Sequence, residues 1–269
     1  MGKNWSTKKG KETDQHLGSI DSSLVAIRTL ELFLTAKYNL TGDQISSCLI
    51  KRVEFKTKPC SQNRNRQHDI ELTSIRSHFD DKNPFPNKFE ISVENFHFLI
   101  DLDYGSKFSL SNRHIELVTR TLNNSESYYD AGYKLTSVDI GNIFLNLETR
   151  TIAANSLLSH FGPVSEHGLG MQHHKSLTFV EYLSIAGQLT QMLLYKLENI
   201  TREESNNMWV RSLTANFHNE RTNQSDEVFS MAHFSEYNMV TIKNENWRTV
   251  TAKFEIGNIE GFAKVCHII

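Results

Sequence analysis

Cysteine is nearly absent from this 269-residue chain: Cys48, Cys60 and Cys266 are the three present. An odd number at such wide spacing is no disulfide framework, and it fits a reducing compartment. Four prolines and 13 glycines exclude collagen-like and proline-rich repeats. Long apolar runs are missing too. Leu24–Ile27 and Met192–Tyr195 are among the longest, far short of the roughly 20 residues a membrane-spanning helix needs. The residues that follow Met1 lack the apolar stretch of a secretory signal. The expected location is therefore intracellular, in cytoplasm or nucleus, with peripheral membrane attachment as an option. There is no Gly-x-Ser-x-Gly elbow, no phosphate-binding glycine loop and no Cys-x-x-Cys or His-x-x-x-His spacing.

What is present is aromatic mass and uneven charge. Sixteen Phe, 8 Tyr and 3 Trp are too many for a chain that never builds a core. Net charge is −2, but residues 1–11 hold Lys3, Lys8, Lys9 and Lys11 with no acid. Residues 51–67 hold Lys51, Arg52, Lys56, Lys58, Arg64 and Arg66 against Glu54 alone. With +4 and +5 in these two segments, the remainder carries −11. Such asymmetry marks one side for a polyanion, which could be nucleic acid, an anionic lipid surface or the acidic side of another copy of the chain. No aromatic residue lies in 58–69, so contact there would be with backbone phosphate or headgroup, not stacked bases.

Along the chain, residues 1–22 are polar, basic and aperiodic and are read as a flexible tail. Residues 29–40 alternate, with Leu30, Leu32, Leu34, Ala36, Tyr38 and Leu40 on one side, and predict a strand. Residues 49–57 predict a second, basic strand, and 58–69 a cationic loop. Residues 70–79 fit either a short helix or a strand. Residues 88–104 alternate with a parity flip near Asn95, which predicts a corner. The middle reads as helical. One helix follows Ser111, a second runs from Thr136 through Ile140, Ile143, Phe144 and Leu147 towards His160, and a third opens at Ser176. Thr201 and Glu204 form a capping-box pair. Strands are expected near 227–234, 237–243, 247–256 and 259–268, and no repeat of fixed period is visible.

Several motifs bear on chemistry. Met1–Gly2 with Ser6 fits the outline of an N-myristoylation site, and Cys266–Ile269 that of a prenylation box. His97, Asp101 and Asp103 share one strand face by even spacing, and two carboxylates there could hold a hard cation. His160, His167, His173 and His174 lie within fifteen residues, with Glu166 beside them, without the spacing of a zinc site.

These features predict an α+β fold with antiparallel strands at both chain ends around a central helical segment. The domain plan is a flexible basic tail over 1–22 and a single domain over 23–269. The expected function is that of a non-enzymatic assembly protein binding nucleoprotein or an anionic membrane, by analogy of charge layout with viral matrix proteins. Its binding residues would be Lys3, Lys8, Lys9, Lys11, Lys51, Arg52, Lys56, Lys58, Arg64 and Arg66. Homo-oligomerisation is expected; a cofactor, a metal or a small-molecule substrate is not. The alternatives are a metal-dependent phosphodiester hydrolase using Asp101 and Asp103, and a plain sequence-independent nucleic-acid binder.

Overall fold

The structure, a computed structural model, describes residues 7–8, 11–12, 18–58, 72–78, 85–104, 127–161, 167–172, 177–218 and 226–269. Two 20-residue helices, α1 (Ser19–Tyr38) and α3 (Phe179–Glu198), lie against one large antiparallel sheet. A short helix, α2 (Gly42–Ser47), follows α1. The strands are β1 (Thr7–Lys8), β2 (Lys11–Glu12), β3 (Leu49–Thr57), β4 (Leu72–His78), β5 (Lys88–Val93) and β6 (Phe96–Asp103) in the first part of the chain. The second part holds β7 (Thr136–Asn146), β8 (Thr151–His160), β9 (Met208–Phe217), β10 (Glu227–Ile242), β11 (Glu245–Ile256) and β12 (Ile259–Ile268). Strands β1 and β2 pair with each other, and the other ten form one sheet in the order β4-β5-β6-β3-β9-β12-β11-β10-β8-β7.

That order contains a duplication. A hairpin, a long helix and four strands (β1, β2, α1, β3–β6) are followed by the same series (β7, β8, α3, β9–β12). Within each half the sheet runs from the second to the fourth strand of the set and closes on the first. β3 and β9 meet antiparallel at the seam, with Val53 opposite Ala215. Details repeat as well. Asn39 and Asn199, 160 residues apart (199 − 39), both end their helices in the left-handed conformation. Asn95 and Asn258 each donate from Nδ2 to the carbonyl of the residue after the first strand, Lys58 and His218, and each accepts that residue's N–H.

The core lies between helices and sheet. Alternate residues of the central strands point inward, such as Phe96, Phe98, Ile100 and Leu102 of β6, or Val250, Ala252, Phe254 and Ile256 of β11. From the helices come Leu24, Ile27, Leu30 and Leu34, and Ile185, Leu189 and Leu193. These spacings of three and four are the helical period.

The expected α+β arrangement is corrected here. The chain is built on a ten-stranded antiparallel sheet, not on a helical centre between two strand regions. Residues 29–40, expected as a strand, lie mostly in α1. Leucines at 30, 32 and 34 satisfy a period of two over a short window, but the buried set is Leu24, Ile27, Leu30 and Leu34, and no Pro or Gly interrupts 19–38. The helix expected from Thr136 towards His160 is the β7–β8 hairpin. Val138, Ile140, Ile143, Thr151 and Ile152 are β-branched, and the Asn146 side chain accepts the Thr149 N–H at 3.0 Å to close the turn. The repeat invisible in the sequence is present in the architecture. The helix after Ser111 falls outside the described residues. β3 and the β5–β6 corner at Glu94–Asn95 form as read, 70–79 holds strand β4, and the third helix forms as α3 but opens at Thr178, past the expected Ser176. Thr201 and Glu204 make their capping-box bonds on a single turn that no helix continues. The expected strands 227–234 and 237–243 are one strand, β10, with a register shift between Phe234 and Glu236.

Candidate active site

Glu31 sits on the buried stripe of α1, one residue after Leu30 and three before Leu34, and is 3% exposed. A carboxylate there has left water and must find its donors inside the protein. Arg28, one turn earlier, donates from Nη1 to Oε2 at 2.7 Å. The Ser127 hydroxyl donates to Oε2 at 2.9 Å and lies 3.2 Å from Oε1. The Leu169 N–H donates to Oε1 at 2.7 Å. Arg28 also holds Asp130, 3.0 Å from its Nη2. Burial pushes the Glu31 carboxyl above its ordinary range, against Arg28, the Leu169 N–H and Ser127, which pull it down.

The groups around Glu31 come from three places. Segment 127–130 lies ahead of β7, and loop 167–172 lies between β8 and α3. The two are tied together: Tyr128 N–H donates to the His167 carbonyl at 2.8 Å, and the Tyr129 hydroxyl to the Leu169 carbonyl at 3.0 Å. The loop also crosses α2, where Gly168 N–H donates to Ser46 Oγ at 3.1 Å and Gln172 N–H to the Ser46 carbonyl at 3.0 Å. Gly168 has φ +131°, and a Cβ there would stand 3.2 Å from Ser127 Oγ and 3.3 Å from Glu31 Oε1. Glycine is needed at this point for both backbone and space.

A cleft of about 220 Å³ opens over these groups, with Arg28, Glu31, Thr35, Asp43, Ser127 and His167 among its lining. A buried acid of raised proton affinity at a cleft wall, with a hydroxyl and a guanidinium beside it, can accept and return a proton. A second buried acid, Glu181 of α3, accepts from the Tyr128 hydroxyl and from both Thr178 donors, its backbone N–H at 3.0 Å and its hydroxyl. It caps α3.

Of the residues expected to bind polyanions, the described ones fall in two places, the β1–β2 pair and strand β3 with its end. Lys8 and Lys11 lie in the β1–β2 pair; Lys3, Lys9, Arg64 and Arg66 fall outside the described residues. Lys51, Arg52 and Lys56 lie on β3 and are matched with acids. Glu54 bonds Arg52 and is 3.1 Å from Lys56, and Asp103 is 3.7 Å from Lys51. Burial raises the Glu54 carboxyl, but Lys56 and Arg52 outweigh it and hold it below the usual range. Lys58, just after β3, is exposed. Asp101 and Asp103 share a sheet face with His97, as even spacing requires, but cations surround them. Lys88 and Arg52 are the strand neighbours of Asp101. Burial raises the Asp101 carboxyl, against those two cations. Among the described residues no three His, Cys, Asp or Glu converge as a metal site. The hydrolase reading built on Asp101 and Asp103 is therefore withdrawn. His160 bonds Thr136 Oγ1 at 3.1 Å, away from the cleft that His167 lines, and His173 and His174 fall outside the described residues.

Sequence reasoning missed Glu31, Arg28 and Ser127. Glu31 carried a signal, an acid on the apolar stripe of a helix, which the strand reading of 29–40 concealed. In Gly168–Leu169–Gly170 the first glycine makes room for the acid and the serine.

The fold and site define a protein of duplicated helix-on-sheet halves, with one buried acid–hydroxyl cluster at the meeting of α1, α2 and the segments ahead of β7 and α3. The chain belongs to the AvrD family, described as Pseudomonas avirulence D protein, which it matches over residues 2–269. No curated relative matches it. Among solved structures it is similar to a protein of Novosphingobium aromaticivorans provisionally described as a thioesterase (8% identity, TM-score 0.44, 94% of this chain and 87% of that one). Others are an Alicyclobacillus acidocaldarius protein with a hot dog fold (6%, 0.41, 91% and 85%) and the acyl-CoA thioesterase II TesB2 of Mycobacterium marinum (9%, 0.41, 93% and 91%).

These findings correct the functional expectation. The chain belongs to a family described by an avirulence protein, and of the three structures named above two are described as thioesterases and none as a matrix, nucleic-acid-binding or membrane-binding protein. The assembly-protein reading, the nucleic-acid and membrane partners and the lack of a small-molecule substrate are withdrawn together. No helix among the described residues is long and apolar enough to cross a membrane.

Proposed function

We propose that this chain is an enzyme acting on a small acyl substrate in the α1–α2 cleft, with Glu31 as its acid–base group. The observation that carries the reading is the Glu31 carboxylate, which is buried at the wall of an open cleft and has its proton affinity raised. A buried ion pair is rarely the most stable choice, and an apolar residue on the α1 stripe would often stabilise the fold as well or better. Chemistry is a sufficient reason to keep an acid there. Arg28, anchored on Asp130, supplies positive charge where an oxyanion would form.

Acyl thioesters are the substrates to try first, because the similar structures include an acyl-CoA thioesterase; the proposal itself rests on Glu31. In thioester hydrolysis Glu31 takes a proton as the carbonyl is attacked and returns it to the departing thiolate. An intracellular location belongs to the same proposal, on the ground that Cys48 and Cys266 are both free thiols.

The test uses the full chain, acyl-CoA thioesters of several chain lengths and a colorimetric readout of released thiol. Glu31→Gln is expected to lower kcat/KM by about a hundredfold or more while the protein stays folded. Turnover by Glu31→Gln at the wild-type rate, or no turnover of any thioester by the wild type, would overturn the reading.

A further inference from the structure

We infer that Ser127 is the acyl acceptor of this site, a nucleophile driven by Glu31. The inference rests on the acid–base reading of Glu31 above. Among the described cleft hydroxyls, the others are engaged locally. Thr35 Oγ1 donates to the Glu31 backbone carbonyl at 3.0 Å, and Thr41 Oγ1 accepts the Gln44 N–H at 3.3 Å. The Ser127 proton alone is directed at a carboxylate, with both Glu31 oxygens within 3.2 Å. A hydroxyl whose proton already lies along a hydrogen bond to a base is the arrangement an activated nucleophile requires.

Two further observations support the assignment. The first is rigidity. Ser127 begins a tripeptide whose next two residues are buried tyrosines, each fixed by its hydroxyl, Tyr128 on Glu181 and Tyr129 on the Leu169 carbonyl. Tyr129 N–H also donates to Ser127 Oγ at 3.3 Å, which favours negative charge on that oxygen. The second is close approach. With no Cβ, Gly168 lets the loop backbone lie against Ser127 Oγ and Glu31 Oε1, which holds the hydroxyl and its base together.

Ser127 Oγ forms a bond to the thioester carbonyl carbon while its proton passes to Glu31. The carbon–sulfur bond breaks, and the thiolate leaves as a thiol with the proton from Glu31. The product is an ester on Ser127. Water then attacks that ester while Glu31 takes a proton from the water; the ester bond to Ser127 breaks, Glu31 passes that proton to the departing Ser127 oxygen, and a carboxylic acid is released.

The experiment incubates the full chain with an acyl-CoA thioester, quenches with acid and reads intact and peptide masses, beside thiol-release kinetics of the wild type, Ser127→Ala, Ser127→Cys and Glu31→Gln. The expected result is an acyl mass on the peptide carrying Ser127, absent from Ser127→Ala together with a hundredfold or greater loss of turnover. Ser127→Cys is expected to regain the adduct as a thioester, which separates lost chemistry from lost folding. If the wild type turns over and Ser127→Ala keeps turnover within a few fold, Ser127 is only a brace, and this inference falls while the role of Glu31 stands. If no thioester is turned over by the wild type, both fall.

Discussion

Glu31 ties stability to pH in a definite direction. In the unfolded chain it ionises near 4.5, and in the folded protein burial moves that point upward. Below 4.5 the group is protonated in both states and its contribution is fully present. As pH rises from 4.5 through the raised folded value, the unfolded state releases its proton first and stability is lost; above that value the loss is complete. The melting temperature of the wild type relative to Glu31→Gln should therefore fall across this window and then level off. Thermal melts of both proteins from pH 4 to 8 check the sign, and a wild-type advantage that grew with pH would contradict it. Gly261 offers a second test at this scale. A Cβ there would lie 2.2 Å from both the Thr214 carbonyl oxygen and the Tyr182 hydroxyl. Gly261→Ala should cost on the order of 3 kcal/mol or more in denaturant unfolding, because one obstacle is backbone. The Tyr182 hydroxyl is buried with no hydrogen-bond partner, so Tyr182→Phe should be neutral or stabilise by up to about 1 kcal/mol. In the Tyr182→Phe background, Gly261→Ala should recover only part of its cost.

At the scale of elements, the two long helices end alike because each needs a residue that tolerates positive φ. Asn39 is at φ 53° and Asn199 at φ 52°. Asn39→Gly should leave stability unchanged or slightly higher, whereas Asn39→Val should lower it by about 1–2 kcal/mol in urea melts. The hairpin β7–β8 shows why strands on a sheet edge escape periodicity. Ile143 and Phe144 are adjacent and both exposed, Phe144 at 64%, so neither a period of two nor of 3.6 describes their burial. The register shift between Gly141 and Phe144, with Asn142 at φ 49°, breaks the alternation further. By contrast, β3 and β5–β6 were legible because one face of each is buried and the other is wet, which is the condition under which alternation carries information.

At the scale of the molecule, the seam between β3 and β9 joins the halves through buried residues. Val53 faces Ala215, and both are fully buried. The Glu31 cluster also spans both halves, since α1 supplies Glu31 and Arg28 while the segments ahead of β7 and α3 supply Ser127 and Leu169. Calorimetry should therefore show one unfolding transition, with calorimetric and van't Hoff enthalpies in agreement. Val53→Asp should destabilise both halves together; two separated transitions would show them to be independent. The sequence by itself determined the class of the chain: a core-forming protein with no apolar run long enough for a membrane-spanning helix, α3, and the strands with one wet face. Those properties follow from composition and from local burial patterns. Tertiary structure decided the rest. It cancelled much of the basic appearance of β3 by setting Glu54 and Asp103 against its cations. It turned a run of leucines into a helix, because the sheet could bury a 3.6-residue stripe there. It also brought Glu31, Ser127 and Leu169 within hydrogen-bonding distance from positions 31, 127 and 169, a proximity that no window along the chain contains.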